Sequence, residues 1–296
     1  MAMFNLREYL ESGRQAVEQA LDMHLPQESE RPAVLHKAMR YSIFAGGKRI
    51  RPILCMAAAQ AIGAPAESVM LPAIALEALH TYTLIHDDLP AMDDDELRRG
   101  KPTCHIAFGE ANAILAGDAL LTLAFEWLAE VQAPKPYVPN QLALELAEAA
   151  GSRGVIAGQV EDLANEGSEP TRELVDFIHL HKTAALIRAA VRMGAIAAGA
   201  RSEELNALTI YACNVGLAFQ IADDILNVTS TAEKLGKPTG SDQTRKKITY
   251  PAVHGLDAAR ARADQLVEGA VAELAKVRGD KRPLEEIARY IVQRST

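Results

Sequence analysis

The residues richest in chemistry run from His80 to Arg99 and read His80-Thr81-Tyr82-Thr83-Leu84-Ile85-His86-Asp87-Asp88-Leu89-Pro90-Ala91-Met92-Asp93-Asp94-Asp95-Glu96-Leu97-Arg98-Arg99. Six acidic side chains and then two arginines follow an apolar helical run. Carboxylates at that density repel one another unless cations sit between them, and clusters of hard oxygens select Mg2+ or Ca2+ over softer metals. The arginines suit an anion held beside the metal. A calcium loop starting at Asp87 would need Gly at its sixth position and Glu at its twelfth, where Met92 and Arg98 stand instead. On a helix turning about 100° per residue, His80, Thr83 and Asp87 share one face, with Asp88 one step round. Asp93 lies about 240° past Asp87 on an ideal helix, so it joins the cluster only where the helix ends or distorts. Pro90 supplies that break by removing a backbone donor and crowding the preceding turn.

A second stripe lies in Phe219-Gln220-Ile221-Ala222-Asp223-Asp224-Ile225-Leu226-Asn227, inside another long apolar run. Gln220, Asp223 and Asn227 recur with the period of one helix face. Carboxylates on a helix that should be buried are costly unless paired or metal-bound. Two such stripes, far apart in sequence, imply two walls of one cavity whose shared ligand is a polyanion bridged by Mg2+.

Asp87-Asp88-x-x-x-x-Asp93 followed by Arg98-Arg99, together with Phe219-Gln220-x-x-Asp223-Asp224, resembles the two aspartate-rich motifs of the trans-prenyltransferases, among them the bacterial farnesyl diphosphate synthases. The resemblance spans Gly46 to Pro251 by motif. It implies an all-α, single-domain helical bundle around a central cavity, residues 1–296, acting on two small diphosphate substrates. It implies that Asp87, Asp93 and Asp223 hold Mg2+, about three ions, and that these aspartates with Lys182 and Arg98 form the catalytic set. Lys48, Arg51, His80 and Arg99 match the residues that bind isopentenyl diphosphate. Arg98, Lys182, Thr183, Gln220 and Lys237 match those that face the allylic diphosphate, with Lys247 a weaker match. Tyr82, five residues before the first Asp, and Thr83, about 6 Å below Asp87 by helix rise, stand where product length is set. An aromatic at that depth accompanies farnesyl diphosphate in similar enzymes. A homodimer is implied by the same likeness.

One position departs from the pattern: Asn227 replaces a third Asp of the second motif. It keeps an oxygen but loses a charge, which weakens the second metal site. Three alternatives stay open. A geranylgeranyl diphosphate synthase differs only in product length, and an inactive paralogue would leave the substrates unconverted. A class I terpene cyclase would have no use for Lys48, Arg51, His80 and Arg99 as a second diphosphate site.

Each of these groups also has a plainer reading. Gly46-Gly47-Lys48-Arg49-Ile50-Arg51-Pro52 joins two helices, and basic residues there could simply complement a helix dipole. Arg98 and Arg99 could merely neutralise Asp94, Asp95 and Glu96. A lone His80 on an apolar helix could be a hydrogen-bonded core histidine. Lys182 could be solvated, although the small residues around it imply confinement and hence an anion. Gly154 and Gly158, four apart, would let two helices approach closely, with Gln159 and Asp162 able to face the cavity. The polar, glycine-punctuated stretch Thr229–Lys247 is a candidate lid or an ordinary surface loop.

The elements that must position these groups are helices. Ala, Leu, Ile, Glu and Arg recur with helical period throughout, with little strand alternation, and about ten or more helices fit between the Gly- and Pro-rich breaks. No break is long enough for a domain linker. With 296 residues and 49% hydrophobic content, the chain can bury a large core. A net charge of −8 argues against nucleic-acid binding, so clustered basic groups serve a local anion. Cys55, Cys104 and Cys213 are odd in number and lack metal spacing, as expected for reduced thiols in the cytoplasm. The N-terminus lacks a signal peptide's apolar core, and no membrane span is expected.

Overall fold

Helix α4 (Met70–Asp87) is apolar on nearly every side: Pro72 to Leu79, Thr81, Tyr82 and Ile85 are all buried. A helix of that kind must be enclosed by others. It is surrounded by α1 (Leu6–His24), α2 (Ala33–Ile43), α3 (Ile50–Ile62), α6 (Glu110–Ala129), α7 (Gln141–Ala150) and α10 (Ala185–Ala197). The computed structural model describes residues 4–169, 171–229 and 249–293; Lys237 and Lys247 lie outside them. The remaining elements are α5 (Cys104–Phe108), α8 (Val155–Ala164), α9 (Arg172–Ile178), a π-turn (His179–Ala184), α11 (Ser202–Thr229), α12 (Tyr250–His254), α13 (Leu256–Glu273) and α14 (Arg282–Gln293). Short 3-10 turns cover Ala66–Val69 and Leu274–Lys276. The apolar side chains form one continuous core from Val17 to Ile291, and the all-α reading holds.

The helices end where their sequences require. Asn5 caps α1 by accepting from the Glu8 backbone N–H at 3.3 Å, and Gly63, at φ 95°, closes α3 in the left-handed region. Helix α4 stops at Asp87, three residues before Pro90, and the chain folds back so that the Asp93 N–H donates to the Asp87 carbonyl at 2.8 Å. The break between Ala91 and Gly109 holds more structure than its sequence announces. Besides α5 it contains the only strands among the described residues, a hairpin pairing Leu97–Arg98 with Lys101–Pro102. Its turn residues Arg99 (φ 54°) and Gly100 (φ 76°) both have the positive φ of a type I′ turn.

One expectation needs correction. Three helical stretches, Ala66–Asp87, Glu110–Ala129 and Ser202–Thr229, are long and apolar enough to cross a membrane by length and composition. Packing accounts for most of that apolar character in the first and third, which are 67% and 61% buried. Helix α6 is 39% buried and leaves Ile114 and Leu115 exposed.

A buried ion pair secures the loop between α2 and α3. Arg49, 3% exposed, donates to Glu77 of α4 at 2.7 Å and to the Ile43 carbonyl at 2.7 Å, with Glu18 at 3.4 Å. Removing one partner of such a pair strands a buried charge, which costs more than the pair itself contributes. Glu77→Ala should therefore lower the unfolding free energy by about 3 kcal/mol, the low end of the range because Glu18 remains. Urea unfolding measures it, and a loss below about 1 kcal/mol would mean that the pair is solvated.

Candidate active site

A cavity of about 700 Å³ opens between the α2–α3 loop, α4, the π-turn, α11 and α14. Its lining brings together residues that lie far apart in the chain: Lys48, Arg51, His80 and Arg99 on one side, and Thr183, Gln220 and Asp223 on the other. Ile287, Tyr290 and Ile291 of α14 complete the wall, so the C-terminal helices do more than close the bundle.

The basic side is built by backbone conformations that few residues adopt. Gly46 (φ 103°), Gly47 (φ 132°) and Arg49 (φ 51°) turn the loop tightly. A side chain on Gly47 would place its Cβ 2.6 Å from Arg99 Nη1, because the Arg99 guanidinium lies across this loop and donates to the Gly46 carbonyl. Lys48 reaches Tyr290, its Nζ 5.6 Å from the ring centre and 3.4 Å from the hydroxyl. Arg51 Nη1 donates to His80 Nε2 at 3.1 Å. His80 therefore accepts through Nε2, which is the neutral imidazole. Enclosure in the protein pushes the His80 pKa well below its ordinary value, and the charges of Arg51 and Arg99 push it further. Burial also lowers Arg51, against the pull of Glu77 and Asp223, yet a guanidinium stays charged. Its Nε is buried with no partner among the described residues, a donor suited to an anion entering the cavity.

The facing side is a π-turn pinned from two directions. A Cβ on Gly158 of α8 would lie 2.2 Å from the Lys182 backbone nitrogen, and one on Gly216 of α11 would lie 2.7 Å from Ala184 Cβ. The close approach expected of Gly158 thus falls at the turn carrying Lys182 and Thr183. π-Turns of this kind are frequent at functional sites. Lys182 Nζ lies 2.5 Å from Asp162 Oδ2, and Thr183 Oγ1 donates to Gln220 Oε1 at 2.7 Å. Both amide atoms of Gln159 are buried without a partner among the described residues.

The aspartates divide. Asp88 receives Arg98 in a bidentate grip at 2.8 and 2.5 Å. Burial pulls the Arg98 pKa down, but the Asp88 carboxylate overcomes it and the net direction is upward. The hairpin turn sends Arg98 to this pair and Arg99 to the glycine loop, so two adjacent arginines serve different places. Asp223 lines the cavity, whereas Asp87 and Asp93, both half-buried at the end of α4, are not among its described lining residues. Among the described residues no three His, Cys, Asp or Glu side chains converge as a ready-made metal centre. The candidate donors Asp87, Asp93 and Asp223 offer only carboxylate oxygen, the donor set of a hard cation such as Mg2+. Tyr82 is 8% exposed and packs edge-on to His86 at 5.3 Å, while Thr83 donates to the His80 carbonyl at 2.8 Å; neither is among the cavity's lining residues.

Sequence reasoning missed Arg49, Glu77, Tyr290 and His179, and left Asp162 without a role. Asp162 alone carried a signal, its spacing of four residues from Gly158. The others act through tertiary contacts that have no local pattern.

A cationic wall facing a carboxylate and neutral oxygens, inside an all-helical bundle, defines a protein that handles polyanions away from water. Residues 32–287 match the family described as Polyprenyl synthetase, and the chain belongs to that family. It is 44% identical over 296 residues to the farnesyl diphosphate synthase of Geobacillus stearothermophilus, covering 99% of each chain. It is also 46% identical over 295 residues to the geranylgeranyl diphosphate synthase of Cyanophora paradoxa, covering 99% of this chain and 97% of that one. Its backbone superposes on the crystal structure of geranylgeranyl pyrophosphate synthetase from Pyrococcus horikoshii with a TM-score of 0.87, at 30% identity and covering 97% and 98% of the two chains.

The depressed His80 pKa sets a pH dependence. As pH falls through the ordinary value of 6.5, the unfolded chain takes up the proton first and stability declines. His80→Gln keeps an acceptor for Arg51 without that proton. Between about pH 8 and pH 5, the variant should lose less stability than the parent, the difference approaching about 1.4 kcal/mol per pH unit below the ordinary value. Parallel curves in chemical unfolding would contradict a neutral His80.

Proposed function

We propose that this prenyltransferase joins isopentenyl diphosphate head-to-tail to dimethylallyl or geranyl diphosphate, giving mainly farnesyl diphosphate and releasing diphosphate. The observation that carries this reading is the cavity in which Lys48, Arg51, His80 and Arg99 stand across from Thr183, Gln220 and Asp223. A cyclase has one diphosphate to bind, and so many donors on the far side of the acidic wall suit a second one.

In this reading Lys48, Arg51 and Arg99 bind the isopentenyl diphosphate, and neutral His80 orients Arg51 without adding charge. Arg98 and Lys182, fixed in place by Asp88 and Asp162, would offer their remaining N–H donors, together with Lys237, to the allylic diphosphate as its C–O bond breaks. When bound by Asp87, Asp93 and Asp223, magnesium supplies Lewis-acid charge and a template for that leaving group. The oxygens of Thr183 and Gln220 face the resulting allylic cation without trapping it. Phe219, Ile287 and Ile291 keep water from it. The new carbon–carbon bond forms, the elongated cation loses a proton, and the departed diphosphate accepts it. Tyr82 below Asp87 limits how far the product extends.

We further infer that the chain works as one domain and as a homodimer, with the exposed Ile114 and Leu115 of α6 as one apolar surface for a second copy. The three cysteines are free thiols, which suits the cytoplasm.

The decisive assay gives purified protein geranyl diphosphate, isopentenyl diphosphate and Mg2+ and separates the products by chromatography. Farnesyl diphosphate should dominate. A dominant geranylgeranyl product would replace the chain-length assignment with that of the longer-chain relatives, and no turnover would leave an inactive paralogue. Tyr82→Ala should shift the distribution to longer chains, and an unchanged distribution would remove Tyr82 from that role. Asn227→Asp should lower the Mg2+ concentration needed for half-maximal rate, a change readable from a simple metal titration; a higher requirement would count against Asn227 as the weak point of the second metal site.

A further inference from the structure

The second aspartate of the second motif, Asp224, has a buried set of partners that the reaction above does not use. We propose that Asp224, steadied by His179, is a positioning residue that fixes the polarity of the hydrogen-bond chain from Thr183 through Gln220, so that Thr183 presents lone pairs and not its proton to the allylic cation. The inference rests on the prenyl-transfer reading given above.

Asp224 is 4% exposed, against a neighbouring Asp223 that lines the cavity. About 100° of helix rotation separates the two side chains, enough to turn one toward the cavity and the other toward the π-turn. Both oxygens of Asp224 are engaged by protein. Oδ1 accepts from Gln220 Nε2 at 2.9 Å, and Oδ2 accepts from the Tyr250 N–H at 2.7 Å, with His179 Nε2 at 3.1 Å. His179 is the first residue of the π-turn and is itself 3% exposed. One carboxylate thus ties together α11, the π-turn and the start of α12.

The chemistry of a carboxylate decides which way Gln220 faces. An ionised carboxylate only accepts, so the Gln220 group turned toward Asp224 must be its NH2, and its carbonyl oxygen is turned to Thr183. That oxygen in turn only accepts, so Thr183 donates its single proton to it, at 2.7 Å. A hydroxyl whose proton is committed in one direction presents only lone pairs in the others. Thr183 lines the cavity, and a negative pole there is the electrostatic complement of a developing cation, already oriented before the cation forms.

An amide in place of the carboxylate undoes this logic while leaving the shape intact. In Asp224→Asn the new amide can donate to Gln220, which then reverses and offers its NH2 to Thr183. Thr183 would have to accept, and its proton would turn to the cavity. The expected result for Asp224→Asn is a kcat about 10²-fold lower, with KM for isopentenyl diphosphate and the Mg2+ requirement unchanged. Thr183→Val has no hydroxyl to reverse, so in that background Asp224→Asn should cost little further rate. His179→Gln, which retains a donor near the Nε2 position, should keep most of the parent rate, whereas His179→Phe should lose it several-fold.

The test is a steady-state comparison of these variants with geranyl and isopentenyl diphosphates, alongside thermal unfolding of each. A parent enzyme without turnover would refute the prenyl-transfer reading itself. With an active parent, three results would overturn the present inference: a raised Mg2+ requirement in Asp224→Asn, which makes Asp224 a metal ligand; an undiminished effect of that change in the Thr183→Val background; or equal rates for His179→Gln and His179→Phe. The His179 pair decides the matter if Asp224→Asn does not fold.

Discussion

Charge held inside an apolar helical core is the constraint on which the rest of this structure depends. Helices α3, α4 and α11 are lined with alanine, leucine and isoleucine, yet they carry Arg51, His80 and Asp223 into a shared cavity. Ions removed from water are tolerated only when each has a partner or a ligand. The protein divides its ionic groups accordingly. Some are bound firmly to other parts of the protein, as Arg49 is to Glu77, Arg98 to Asp88, and Lys182 to Asp162. Others, Arg51, Lys48, Arg99 and Asp223, line the cavity where substrate and cation would bind.

The two acidic motifs follow the same rule in miniature. In each adjacent pair one aspartate is committed to protein, Asp88 to Arg98 and Asp224 to Gln220 and Tyr250. Its neighbour, one helical step away, is the one assigned to metal. Doubled aspartates therefore do two jobs that a single residue could not, since a carboxylate gripped by a buried guanidinium has little left for a metal ion. The π-turn obeys a related economy: Gly158 and Gly216 let two helices press against it, so the backbone that carries Lys182 and Thr183 has little room to relax.

Much of this was legible in the sequence because it depends on local period and local chemistry. The apolar helical repeats announce the bundle, Pro90 announces the end of α4, and the spacing of Gln220, Asp223 and Asn227 announces a polar stripe on a buried helix. The roles of Arg49 and Glu77 were not legible, because nothing within either segment shows that residues 28 apart pair in the interior. The hairpin at Leu97–Pro102 was missed because strands of two residues have no alternation to detect. Three long apolar helices were underestimated because a few charges interrupt their sequence, among them Glu77, which pairs with Arg49 in the interior. Tyr290 was missed because its role exists only once α14 folds back beside Lys48.

The account stands or falls on whether two acidic helix ends, Asp87 with Asp93 and Asp223, close on one diphosphate through shared divalent cations. Anomalous diffraction from crystals grown with Mn2+ and an unreactive thiolo analogue of geranyl diphosphate tests that directly. The account predicts manganese peaks bonded at once to diphosphate oxygens and to carboxylates of both motifs, with the isopentenyl side of the cavity still open beside Arg51. Peaks confined to one motif, or a diphosphate bound without contact to Asp223, would contradict it.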